Sequence, residues 1–285
     1  MSDNSPKSGI SKILIATDGS VYADAAVECG AWLASRSSAQ VTALYVIDAR
    51  RLAGHFIKHL SEIINSRTDE GLADRVRDYY RSQGEQALAR AKAICERHGV
   101  DCRSQLETDN VVRILADAAA RVDLLVMGLR GDDEEYETGF LGSVAEKVVR
   151  KTHQPVLLTH LLFKEFRRAL LAFDGSAAAG RAMEMLARLA VALGMEVDAV
   201  QLVGEGEDTV ALKEVLLYFQ QFQVPVSIHY LVDDSHSVII DHLRENNCDL
   251  LAMGAYDNRL ADSLALGTTT EYLMRNSPVP VLVHH

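Results

Sequence analysis

The sequence has few cysteines and no cysteine pair: Cys29, Cys95, Cys102 and Cys248 form no CxxC unit and show no metal-ligand spacing. A disulfide framework and a zinc-ribbon module are thereby set aside, and the four read as free, mostly buried thiols of a reducing cytoplasm. No apolar run approaches the ~20 residues of a membrane span. The opening stretch, MSDNSPKSGIS, has no apolar core of a secretory signal, and residues 1–11 are expected to be a disordered tail. Positive charge is scarce as well. Lys and Arg number 29 against 40 Asp and Glu, a formal charge of −11. That balance argues against nucleic acid or an anionic membrane surface as partner. The GxxxxGK[ST] loop, the G-x-S-x-G elbow, the H-x-E with C-x-x-C pattern and the HIGH and SGGxDS signatures are all missing. Nothing announces catalysis, and any hydrolysis or autophosphorylation is expected to be slow. A phosphoacceptor receiver domain is disfavoured too, because IATDGS supplies one acid where that site needs a doublet.

What the chain does contain is itself, twice. KILIATDGS (12–20) answers RALLAFDGS (168–176), DLLVMG (123–128) answers DLLAMG (249–254), and QPVLLTH (154–160) answers VPVLVHH (279–285). Copies of this size are domains, not solenoid units. The expected division is a first domain at 12–161, a linker at 162–167 and a second domain at 168–285. Short apolar runs read as strands buried on both faces. Stretches such as 21–34 and 182–193, with apolar residues at helical spacing, read as helices. Alternation of the two implies parallel sheets wrapped on both faces. Ligands of such folds bind beyond the carboxyl ends of the strands, where the strand order reverses. Asp18, Val46 and Gly128 all fall at such ends.

Gly128 and Gly131 permit a tight turn and close approach of a ligand, and Gly142-Ser143 opens a helix whose free N–H groups suit an anion. The order DGS, YVID, LLVMG, G-x-x-G, GSVAEKVVRKT, PVLL resembles the universal stress protein family, in its tandem form, over nearly all of 12–285. The resemblance implies two tandem doubly wound five-stranded parallel-sheet domains, of the adenine nucleotide alpha hydrolase-like kind, paired as a pseudo-dimer through their last strands. It implies a stress-response or regulatory protein binding ATP or AMP, with Mg²⁺ entering only alongside nucleotide. Carried over residue by residue, Ala16, Thr17 and Asp18 would meet adenosine and Val46 the adenine edge. Met127, Gly128, Arg130 and Gly131 would line ribose and phosphates, and Gly142, Ser143 and Val144 would receive phosphate.

Two departures from the family pattern G-x2-G-x9-G-[ST] matter. Ten residues separate Gly131 from Gly142, and among them are Asp132, Asp133, Glu134, Glu135 and Glu137, which would repel a triphosphate. In the second copy Asp257 stands where the middle glycine belongs. Asp174, Gly254, Gly267 and Thr268 therefore mark a degenerate second site. The alternative to nucleotide binding is an interaction module in which both sites are relics.

Plainer roles compete for several of these residues. Asp18 and Asp174 suit helix N-caps, and Ser143-x-x-Glu146 and Thr268-x-x-Glu271 match capping boxes. His55, His59 and Glu62 share weak metal-ligand spacing but lie in an insertion, residues 49–80, expected to be a flap over the first site or a partner surface. HSVIIDH (236–242) reads as the start of a surface helix and not as a ligand set. A homodimer of the tandem chain and an unknown client protein are the expected partners.

Overall fold

The computed structural model describes residues 9–52, 69–131, 142–203, 211–232, 236–255 and 268–285. The first half runs β1 (Lys12–Ala16), α1 (Val21–Ser37), β2 (Gln40–Asp48), a short 3-10 turn (Ala49–Leu52), α2 (Asp69–Arg97), β3 (Cys102–Asp109), α3 (Val111–Ala119), β4 (Leu124–Gly128), α4 (Ser143–Lys151) and β5 (Val156–Thr159). The second half repeats the order as β6 (Arg168–Ala172), α5 (Ala177–Leu193), β7 (Glu196–Leu202), α6 (Ala211–Gln220), β8 (Val226–Leu231), α7 (Ser237–Glu245), β9 (Leu250–Gly254), α8 (Thr268–Asn276) and β10 (Val281–His284). The chain is thus a tandem duplication of one α/β unit.

Within each half the strands pair in parallel. The two five-strand sets, expected to pair through their last strands, form one ten-stranded sheet in the order β3-β2-β1-β4-β5-β10-β9-β6-β7-β8. The join is antiparallel, with Val281 opposite Leu158, Leu282 opposite Leu157 and Val283 opposite Val156. β5 is buried along its length, and β10 is apolar and buried over Val281–Val283. Left unpaired, each would present a hydrophobic edge with open backbone groups. Pairing them makes the sheet mixed and lets the two halves share a core.

Side chains alternate across the strands and feed two apolar layers. One layer holds α1, α2, α5 and α6 against the sheet, through Leu33, Ile94, Leu186 and Phe219. The other holds α3, α4, α7 and α8, through Leu115, Val148, Leu243 and Leu273. Residues 162–167 take part in the packing: Phe163 and Phe166 each lie 5.4 Å from the Trp32 ring, and Phe166 is 2% exposed. In α1, a Cβ on Gly30 would sit 2.5 Å from Ile15 Cδ1, so the glycine lets the helix close onto β1. Gly99, at φ +70°, follows the end of α2 in the left-handed conformation that suits a glycine.

The helix caps differ from expectation. Ser20 Oγ accepts from Ala23 N (3.2 Å) and Ser176 Oγ from Ala179 N (3.1 Å), so the serine of each DGS is the cap. Asp18 and Asp174 stand two residues earlier, each accepting from the following serine's N–H at 3.0 and 2.9 Å. The reach of a carboxylate from that position ends at the turn. The capping box at α4 is not formed either. Gly142 occupies the cap position without a side chain, and Glu146 turns instead to Arg150 and Arg275. Glu271 likewise pairs with Arg275.

Candidate nucleotide site

A cleft of about 260 Å³ opens at the carboxyl ends of β1, β2 and β4, where the strand order of the first half reverses. Ala16, Thr17, Asp18, Val46, Met127, Gly128, Arg130, Gly131, Ser143 and Val144 all line it. Gly142 sits just behind: its N–H donates to Leu129 O at 2.9 Å, and Leu129 N in turn donates to Thr159 O at 2.8 Å. These bonds tie Gly142 to the end of β4, so that α4 starts beside the cleft.

The turn after β1 is held from several sides. Thr17 N donates to Leu44 O (3.0 Å), Gly19 N donates to Thr17 Oγ1 (3.3 Å), and the Arg90 guanidinium donates to Gly19 O (2.9 Å). Asp18 is exposed to the cleft on this frame. A Cβ on Gly131 would stand 2.6 Å from Asp18 Oδ2, so the two loops meet there. The glycines ending β4 and β9 have another reason. A Cβ on Gly128 would meet Arg130 O at 2.8 Å and Tyr22 Cβ at 2.9 Å, and one on Gly254 would meet Ala179 N at 2.6 Å. Both are required by packing alone.

Ile47 and Asp48, which end β2 with Val46, line the cleft too, and sequence reasoning missed Tyr45, Arg50, Arg51, Tyr80, Val111 and Leu115. Arg50 is bonded to Asp48, which holds that carboxyl below its usual range. Arg51 stacks over the Tyr80 ring, 5.3 Å from its centre. The described lining therefore carries Arg50, Arg51 and Arg130 against Asp18 and Asp48. The signal was the pair of arginines in DARR directly after β2, read only as the start of an insertion. The described ends of that insertion border the cleft. His55, His59 and Glu62, like Asp132 to Glu137, lie outside the described residues.

A protein-family model described as the universal stress protein family matches residues 9–160 and again 201–285. The chain belongs to the universal stress protein family. A universal stress protein of Synechocystis sp. is 28% identical over 283 residues, covering 95% of this chain and 98% of the relative. One from Methanocaldococcus jannaschii is 30% identical over 156 residues, covering 54% of this chain and 84% of its own. Among solved structures, a universal stress protein from Archaeoglobus fulgidus has a TM-score of 0.73 at 22% identity, covering 96% of this chain and 97% of that one. At that identity the likeness concerns the fold.

In the second universal stress repeat, Asp174 and Gly254 occupy the matching ends of β6 and β9, and Thr268 opens α8. Gly267 and Asp257 lie outside the described residues. His242 departs from expectation. It does not face solvent on a surface helix: its ring lies 4.7 Å from that of His229, and its Nε2 is buried with no hydrogen-bond partner among the described residues. His285 is also packed, 4% exposed. Among the described residues no helix is long and apolar enough to cross a membrane.

Proposed function

We propose that this universal stress protein binds an adenine nucleotide, ATP or AMP, in its first half and acts as a stress-responsive regulator, not as a fast enzyme. The observation carrying the proposal is the convergence of residues from three separate strand ends, with the start of α4, on one cleft. Asp18 is the hydrogen-bond acceptor for a ribose or adenine, and Val46 and Met127 supply the apolar wall. Gly131 leaves room for phosphate, and the start of α4 at Ser143 offers backbone N–H groups and the positive end of the helix dipole. Arg50, Arg51 and Arg130 supply charge against the phosphates and offset part of the acidic run at 132–137. Mg²⁺ would enter with the nucleotide. Asp257 makes the second site degenerate for triphosphate.

The antiparallel β5–β10 seam supports reading the two halves as a built-in pseudo-dimer. A homodimer of the tandem chain would use another face, and a client protein would dock on the assembled surface. Four free, buried cysteines support a reducing cytoplasm as the working compartment.

The second reading, a nucleotide-free interaction module, rests on the acidic run 132–137. Calorimetric titration with ATP, ADP and AMP, with and without Mg²⁺, separates the two. Saturable heat with one site per chain is expected; silence at millimolar nucleotide would leave the interaction module standing.

A further inference from the structure

We propose that Asp198, His229 and His242 form a binding site for one divalent transition-metal ion, Zn²⁺ by ligand chemistry, in the second half of the chain. One ligand atom from each residue lies within 4.8 Å of the others. Register explains why they meet. Asp198 lies on β7 opposite Leu170, and His229 lies on β8 opposite Val200, two residues further along β7 on the same face. That face is the one covered by α7 through Ile239, Ile240 and Leu243, and His242 descends from the same helix.

The surroundings suit a cation better than they suit an empty core. Asp198 is only 4% exposed, and a carboxylate that deep needs a strong partner. Its contacts are long: Cys248 Sγ donates at 3.7 Å, and Arg168 stands 3.9 Å away while bonding more closely to Glu196. Arg168 can therefore stay with Glu196 when a metal takes the carboxylate. His242 Nε2 is buried without a partner among the described residues. Burial, and then the neighbouring His229, lower the basicity of His242, a direction that favours the neutral form that ligates metal.

The site is separate from the nucleotide cleft and from its degenerate copy. Asp198 is the third residue of β7 and Cys248 precedes β9, so the cluster lies toward the amino ends of the strands. It is also peculiar to the second half. The matching strand pairs of the first half, Leu14 with Thr42 and Leu44 with Gln105, put Thr42 and Gln105 where Asp198 and His229 stand. The fold packs there with residues that do not make this ligand set, so the architecture alone does not demand the cluster.

Two imidazoles and one carboxylate are the ligands of Zn²⁺ and its transition-metal neighbours, whereas Mg²⁺ and Ca²⁺ favour oxygen donors throughout. Zinc bonds of about 2.0–2.2 Å require the three ligand atoms to draw inward. The fourth position falls to water or, after deprotonation, to the Cys248 thiol beside Asp198.

The test uses the full chain, purified without an affinity tag, stripped by chelator, dialysed against Zn²⁺ and assayed for bound metal by mass spectrometry, with no nucleotide present. Its outcome is thus independent of the nucleotide reading. One equivalent is expected, with affinity falling more than about tenfold in Asp198→Asn and in His242→Gln. Co²⁺ in place of Zn²⁺ should give the visible spectrum of a low-symmetry site, lost in the same variants. Circular dichroism and melting of the metal-free variants check the fold; His229→Asn, at a half-buried position, replaces either variant that unfolds. No bound metal, or wild-type stoichiometry and affinity retained in the folded variants, would overturn the proposal.

Discussion

Replacing Gly131 by alanine should weaken nucleotide binding through one neighbour, Asp18, and leave the fold intact. The new Cβ would lie 2.6 Å from Asp18 Oδ2, well inside contact, with Asp18 Cγ next at 3.9 Å. The carboxylate is the part that moves, because it ends a side chain while the turn behind it is fixed by Thr17 and Arg90, and its movement also strains the 3.0 Å bond to Ser20 N. A displaced carboxylate loses its hydrogen bond to the ribose or adenine, an interaction with a charged group worth about 1.5–3 kcal/mol. The dissociation constant for ATP, and equally for AMP, should rise about 10- to 150-fold. Global stability should change by less than about 1 kcal/mol, since alanine also restricts the unfolded chain. Calorimetry on wild type, Gly131→Ala, Asp18→Ala and the double variant closes the cycle. With Asp18 already truncated the methyl has room, so alanine at 131 should then alter affinity less than about threefold. Additive losses would refute the reasoning, because the methyl would be acting on the ligand or on the loop and not through Asp18.

Arg51→Ala should weaken ATP about 2- to 5-fold at low salt while leaving adenosine unchanged, as expected of a half-exposed charge near phosphate; equal effects on both ligands would place Arg51 elsewhere. Phe166→Ala should cost about 3–5 kcal/mol in urea unfolding, because the ring is buried against Trp32 and Phe163 between the halves; a loss below about 1 kcal/mol would show that the segment 162–167 is a loose tether. Burial lowers the pKa of His285 to about 4, against about 6.5 for an unfolded imidazole. The unfolded chain thus gains the proton first on acidification. The stabilisation is full above about pH 6.5 and is lost toward pH 4, by at most about 3 kcal/mol. His160 and His284 shift the same way through burial, so the wild-type slope is shared. His285→Gln should flatten the dependence of the urea midpoint between pH 6.5 and 4, and parallel curves would refute the assignment.

The repeat, the strands and the cleft lining were legible in sequence because each has a local signature. KILIA and LLVMG are short apolar runs, and the DGS and GS turns sit at fixed places after strands. That PVLL and PVLV would meet was legible as well, because each is an apolar edge that needs covering. The antiparallel sense of the join was not, because apolar runs carry no strand direction. The caps were misread for a similar reason. Serine and aspartate in DGS are both good caps by type, and only backbone geometry gives the cap to Ser20 and leaves Asp18 facing the cleft. Arg51 and Tyr80 meet across an insertion, and Asp198, His229 and His242 meet across two strands and a helix. No spacing rule encodes such encounters. They follow from register, which is set by the whole sheet.

The seam at β5 and β10 also bears on what the duplication achieves. It buries in the middle of one molecule the two apolar strands that would otherwise need a second chain to cover them. What remains at the sheet's outer edges is β3, CRSQLETD, and β8, VSIHYL. Arg103, Glu107 and Asp109 place charges of both signs along the β3 edge, a pattern that resists strand-to-strand addition of another copy. With pairing secured inside one chain, the halves are free to diverge without losing assembly. The first keeps a glycine at 131 and lines its cleft with arginines. The second has Asp257 at the matching position and buries an aspartate and two half-buried histidines at the opposite end of its strands. A symmetric dimer of single repeats could not specialise in this way, because each substitution would fall on both subunits at once.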